Sequence, residues 1–136
     1  MYLIYNPEGQ DEPIRWRYNP KRMMSVERED IEKRTNRNFS QFTTDVLQGN
    51  SLCRRALLFT YLRRDHPKTR WEDVDFAWDE LTLEYSKQEW KAIRDEVMTT
   101  KVGDELADAL AGIDRHMAEA HDEPTDEGKA ELPIAG

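Results

Sequence analysis

The apolar residues of this chain recur at helical spacing in several separate blocks, and turn-forming residues stand between them. Phe39, Phe42, Val46 and Leu47 follow i, i+3, i+7 and i+8, the stripe of an amphipathic helix, until Gly49 and Asn50 stop it. The next block is denser: from Ala56 to Leu62 only Thr60 interrupts the apolar run, Ser51 stands where a cap is expected, and Pro67 ends the pattern. Ahead of both lies a polar helix. Ser25 is placed to cap it, Glu27, Glu29 and Asp30 fall in its first turn, and Lys33, Arg34 and Arg37 fall around its end near Asn36, the charge order that the helix dipole favours.

A different period governs the start of the chain. Tyr2 to Tyr5 and Ile14 to Tyr18 are short runs of β-branched and aromatic residues separated by NPEGQDEP, a cluster of turn formers, which predicts a β-hairpin. Alternation puts Ile14, Trp16 and Tyr18 on one face and Arg15 and Arg17 on the other. Two strands are marginal alone, so the helices are expected to cover them.

Beyond Pro67, Thr69 with Glu72 has the spacing of a capping box and predicts a short helix carrying Trp71, Val74 and Trp78. DELTLEYS alternates Leu81, Leu83 and Tyr85 with polar residues and favours an extended segment. Ser86 with Glu89 forms a second capping box, opening a helix with Trp90, Ile93 and Val97 on one face. From Val102 another amphipathic helix repeats Leu106, Leu110, Ile113 and Met117 and ends near Ala120. The remaining HDEPTDEGKAELPIAG has no periodicity and a composition that predicts disorder from about 122. The expectation is therefore a mainly α fold with a small N-terminal β-hairpin: one helical domain over 1–121, its hairpin within 1–20, and a disordered acidic tail over 122–136.

Charge and cysteine content narrow the function classes. A length of 136 residues suits one compact domain with a tail. The net charge of −8 is unevenly spread, with 14 Lys/Arg against 9 Asp/Glu in residues 1–70 and 6 against 19 in residues 71–136. Such asymmetry fits either a polarised surface for a partner or simply solvated helix faces. Cys53 is the one cysteine, so no intramolecular disulfide can form, and it reads as a small buried residue in a reducing cytoplasm. The N-terminus lacks a secretory signal, and the longest apolar run is far below the roughly twenty residues of a membrane span.

Catalytic and metal chemistry find no foothold. His116 and His121 are five residues apart on a predicted helix and diverge, while His66 precedes a proline. Asp73, Asp75 and Asp79 have the odd-position spacing of a calcium loop but lack its glycine. No phosphate loop, nucleophile elbow or HExxH helix is present. No catalytic residue, cofactor or metal site is predicted. Arg15, Arg17, Lys21, Arg22, Arg34 and Arg37, with the arginine pairs at 54–55 and 63–64, make a nucleic-acid module an alternative, opposed by the interleaved acids and a pI near 4.9.

One order of segments carries more than any single motif: the hairpin, then IEKRTNRNFSQF, then an apolar helix ending in RRDHP, then WEDVDF. It resembles the tail assembly chaperones of long-tailed bacteriophages, particularly of phages of actinobacteria, across roughly residues 1 to 98. The resemblance implies a non-enzymatic protein of the infected host cytoplasm, missing from the mature virion. Its role would be to keep the tape measure protein soluble and extended while tail tube subunits polymerise. The tail tube protein and a second copy of the chain are further candidate partners; membrane is not one. A head–tail joining protein or another virion component is the alternative within phage biology. The family supplies no binding positions residue by residue. From charge and expected exposure, Arg54, Arg55, Arg63, Arg64, Trp71 and Trp78 are the candidate partner-binding residues, the arginine stems packing on the apolar helix and their heads reaching solvent. The four tryptophans are otherwise expected mainly in the core.

Overall fold

The computed structural model describes residues 1–122; the expected disorder of the acidic tail lies outside them. The fold is mainly α with a small antiparallel sheet. The strands are β1 (Tyr2–Tyr5), β2 (Ile14–Arg17) and β3 (Leu81–Glu84), and the helices are α1 (Ser25–Thr35), α2 (Phe39–Leu47), α3 (Ser51–Asp65), α4 (Lys87–Thr100) and α5 (Gly103–Glu119). The described chain falls into two compact units, Tyr2–Leu83 and a second formed by Met1 with 84–122; the 1–121 span read as one domain contains both.

In the first unit the hairpin forms as its alternation requires. β1 and β2 pair antiparallel with Leu3 opposite Trp16, and Ile14, Trp16 and Tyr18 face inward while Arg15 and Arg17 are exposed. The sheet gains a third strand that the hairpin alone did not require: the order is β2-β1-β3, so the extended LTLE segment pairs with β1 after a long excursion through three helices. At that edge the Asn6 N–H donates to the Glu80 carbonyl at 2.8 Å. A third strand supplies the pairing that a lone hairpin lacks.

Helices α1, α2 and α3 pack on one another, and α3 is the central element. Its residues Ala56, Leu57, Leu58, Phe59, Thr60 and Tyr61 are all buried, together with Leu3, Ile31, Phe42, Val46 and Leu81 from the surrounding elements. Polar groups within this core are satisfied locally. The hydroxyls of Thr35 and Thr60 donate to the carbonyls of Ile31 and Ala56, each four residues back along its own helix. Cys53 is a buried free thiol, pushed up from its ordinary pKa by burial.

The helix starts differ from the expectation. Ser51 is the first residue of α3, and the cap is Asn50, whose carboxamide oxygen accepts the Cys53 N–H at 2.9 Å. Asn38 caps α2 in the same way through the Gln41 N–H. Asn is as good a cap as Ser, and in both places it precedes the periodic block. Ser25 likewise lies inside α1; there the Glu27 carboxylate reaches back to the Met24 N–H. Leu47, expected on the buried face of α2, is exposed because Gln48 and Gly49 already turn the chain away. The segment after Pro67 is not the predicted helix but two short 3₁₀ turns, Trp71–Asp73 and Trp78–Glu80. Thr69 makes no cap there; its hydroxyl donates to the His66 carbonyl.

The second unit is a helical hairpin of α4 and α5. Its opening is as predicted: the Ser86 hydroxyl accepts the Glu89 N–H at 3.0 Å and the Glu89 carboxylate accepts the Ser86 N–H at 2.8 Å. The Trp90 ring stacks on His116 at 4.8 Å with the planes 6° apart, and Arg94 pairs with Asp114 at 3.1 Å. No helix among the described residues is long and apolar enough to cross a membrane.

Leu58 has no solvent exposure and sits at the middle of the central helix, so Leu58→Ala should lower unfolding free energy by roughly 2–5 kcal/mol. Denaturant unfolding of the two proteins measures this. A loss well under 1 kcal/mol would mean that the α3 interior is not the tightly packed centre described here.

Candidate functional site

Five side chains of the first unit form a ladder of guanidinium groups and rings. Arg34, from the last turn of α1, lies over both Phe59 (4.6 Å to the ring centroid) and Trp71 (5.0 Å). Arg63 covers Phe59 at 4.6 Å, and Arg55 covers Trp71 at 4.0 Å. The two rings meet edge to face at 5.5 Å. The helix repeat explains the spacing. Arg55, Phe59 and Arg63 are each four residues apart and so rise along one face of α3.

Each arginine head in this ladder has an internal partner. The Arg55 Nε–H donates to the Val74 carbonyl at 2.6 Å and its Nη2–H donates to the Trp71 carbonyl at 2.7 Å. One guanidinium thus holds both ends of the first 3₁₀ turn while stacking on its tryptophan. Asp30 of α1 receives Arg34 at 2.9 Å and Arg63 at 3.4 Å on the same oxygen. One turn earlier, Glu27 takes Arg64 in a two-pronged pair at 2.7 and 2.5 Å, and Arg64 also covers the Tyr61 ring at 4.6 Å. That hydrogen-bonded guanidinium holds the Glu27 carboxyl below the ordinary glutamate range. Burial pushes the Tyr61 phenol up to about 12.

The remaining pair of candidates forms a separate corner. Arg54 donates from Nε to the Val46 carbonyl at 2.8 Å, closing the end of α2, and lies 5.3 Å from the Trp78 ring. Trp78 is 52 % exposed and stacks on Phe76 at 6.3 Å. Beneath it Gly49 adopts φ +87, a conformation that costs little only for glycine, and a Cβ there would stand 3.5 Å from the Trp78 ring. Leu47 and Leu52, either side of Gly49 in the chain, are exposed at 44 % and 38 %.

The candidate residues are therefore split. Arg55 joins Trp71, Arg54 joins Trp78, and Arg63 and Arg64 face the α1 carboxylates. The expectation that the four arginine heads reach out to solvent fits Arg64, which is exposed while paired with Glu27; Arg54, Arg55 and Arg63 are half-buried, and their heads turn onto carbonyls, a carboxylate and rings of the same chain. The tryptophans depart too. None is fully buried: Trp16, Trp71 and Trp90 are half-buried and Trp78 is exposed. Leucine and phenylalanine fill the centre, leaving the indole N–H groups free for peripheral partners, as where Trp16 Nε1–H donates to Asp65 at 3.0 Å. Arg34, Phe59 and Phe76 were not among the candidates. Arg34 stood only in the list of basic residues, and nothing at helical spacing signals its stacking on a ring 37 residues away.

Chemically the ladder is a structural clamp with rings and cations, and the Trp78 corner is an apolar contact surface with a cation beside it. Ion pairing of Arg34, Arg37, Arg63 and Arg64 with Asp30, Asp45 and Glu27 removes much of the positive field that phosphate binding would need. Among the described residues, no three His, Cys, Asp or Glu side chains are grouped to hold a metal ion. Comparison with protein-family models, with curated proteins and with solved structures finds no match.

Two outcomes check the clamp. Arg55→Lys retains the charge but not the fork that spans two carbonyls, and should destabilise the protein by roughly 1.5–3 kcal/mol. It should also speed tryptic cleavage after Lys68 and Arg70. Unchanged stability and cleavage would show that the turn is held otherwise. For the Glu27–Arg64 pair, the lowered Glu27 pKa means that its stabilisation is present above the ordinary glutamate value and is lost as pH falls through the lowered one. Glu27→Gln should thus cost roughly 0.5–1 kcal/mol at neutral pH and progressively less in acid. A cost independent of pH between neutral and strongly acidic solution would contradict the pairing.

Proposed function

We propose that this protein is a tail assembly chaperone of a long-tailed bacteriophage, which binds the tape measure protein in the host cytoplasm and leaves before the virion matures. The observation that carries the reading is the ordered set of segments over residues 1 to 98: the hairpin, IEKRTNRNFSQF, the apolar helix ending in RRDHP, and WEDVDF.

The structure supports treating these segments as one functional piece. They are far apart in sequence but bonded to one another: Tyr61 of α3 donates its hydroxyl to the Arg17 carbonyl of the hairpin, Arg64 clasps α1, and Arg55 holds the WEDV turn. A binding role also needs surface that the fold does not consume. Trp78, Leu47 and Leu52 provide it, with Arg54 alongside, and an exposed tryptophan next to an arginine has the composition of an interface hot spot. Tape measure binding at this corner is apolar in character, so it should persist at high salt.

Co-expression with a tape measure fragment should raise the soluble yield of that fragment and give a complex that co-purifies. Trp78→Ala should leave the circular dichroism spectrum unchanged and weaken the complex by roughly 2 kcal/mol or more. A fragment that stays insoluble, with no complex at low or high salt, would remove the basis of the proposal. Mass spectrometry of purified particles should find the protein missing although it is abundant during infection; many copies per particle would favour a virion component instead.

A further inference from the structure

We propose that the α4–α5 hairpin is a self-association module: a second copy of this chain packs its own hairpin on the apolar seam, antiparallel, to make a four-helix arrangement. The proposal stands apart from the tape measure reading. Helices α4 and α5 pack together, and Trp90, Ile93 and Val97 of α4 and Leu106, Leu110, Ile113 and Met117 of α5 are spaced by three or four residues, as in the seam of a helical bundle. Of these seven, only Ile113 is buried, at 7 % exposure; the others are half-buried. Met98 (50 %) and Val102 (82 %) are exposed at the turn between the helices. A helical hairpin by itself offers no second layer on which to close such a stripe, whereas two hairpins supply one.

Charge decides the occupant and its direction. The half of the hairpin near the turn carries Asp95, Glu96, Asp104, Glu105 and Asp108 against Lys101. The opposite half carries the cations Lys87, Lys91 and Arg115 with Glu89 and Glu119, and Arg94 there is matched by Asp114. A parallel partner would set one acidic end on another. A two-fold antiparallel partner sets each acidic end on the lysine-bearing end of its mate, and the contact is then self-complementary.

Sedimentation of the full chain over a range of concentrations tests this. The wild type should reach twice its 16.1 kDa mass as concentration rises. Two double variants, at exposed positions except for the half-buried Lys87, separate association from folding: Asp104→Lys with Asp108→Lys, and Lys87→Glu with Lys91→Glu. Each alone should keep its helical circular dichroism and remain at monomer mass where the wild type is dimeric, because the attraction between its two ends is then lost or reversed. An equimolar mixture of the two should recover the dimer, since the reversed ends complement each other. A wild type that stays monomeric at every concentration would overturn the proposal. So would dimers indifferent to both charge reversals, or a mixture that fails to reassociate.

Discussion

The fold of the first unit depends on one guanidinium group. Between Asp65 and Leu81 the chain has no regular helix or strand beyond two 3₁₀ turns, yet it must arrive in register to place β3 beside β1. Arg55 fixes its path by taking the carbonyls of Trp71 and Val74 and stacking on Trp71, with Val74 buried beside it. Backbone carbonyls at the edge of a core are costly to leave unpaired, and arginine is the side chain whose planar fork meets two at once. Downstream, the Glu80 carboxylate accepts the N–H groups of Ala77 and Glu8, tying the second turn to the β1–β2 loop.

The same economy explains why the arginines of α3 are not a free basic patch. A helix as apolar as α3 needs charged residues at its margins for solubility. Here Arg63 and Arg64 meet Asp30 and Glu27 of α1, while Arg54 and Arg55 meet the carbonyls of Val46, Val74 and Trp71. Glu27, in the first turn of α1, then has two roles, one toward the N-terminus of its own helix and one toward α3. Exposed apolar surface lies instead at the corner where the α2–α3 turn sits under Trp78, with Arg54 stacked beside it.

Much of this was legible along the chain because it is local. Periodicity of 3.6 found the burial of Phe39, Phe42, Val46 and Ile113, alternation found the inward face of Ile14, Trp16 and Tyr18, and the Ser86–Glu89 spacing found the start of α4. The caps of α1 and α3 were misplaced by one residue: Ser25 and Ser51 are the first residues of their helices, behind Met24 and Asn50. Failure was greatest where contacts are distant in sequence. Thr69 and Glu72 have capping-box spacing, but the pull of Arg55 on the carbonyls at 71 and 74 holds a 3₁₀ turn in place of a helix. The pairing of Glu27 with Arg64 and the stacking of Arg34 on Phe59 have no local signature at all. Which of the candidate arginines and tryptophans the fold itself uses follows only from tertiary contacts, as where Arg55 takes the Trp71 carbonyl and Arg64 takes Glu27.

The central proposal is that a tape measure partner binds at the Trp78 corner while Arg34, Arg55 and Arg63 keep their contacts within the chain. Hydrogen–deuterium exchange of the full chain, with and without a saturating tape measure fragment, tests it most directly. The account predicts new protection in residues 47–54 and 76–80, with the α3 interior from Ala56 to Leu62 unchanged. Protection confined to 87–119, or none anywhere in a complex that demonstrably forms, would contradict it.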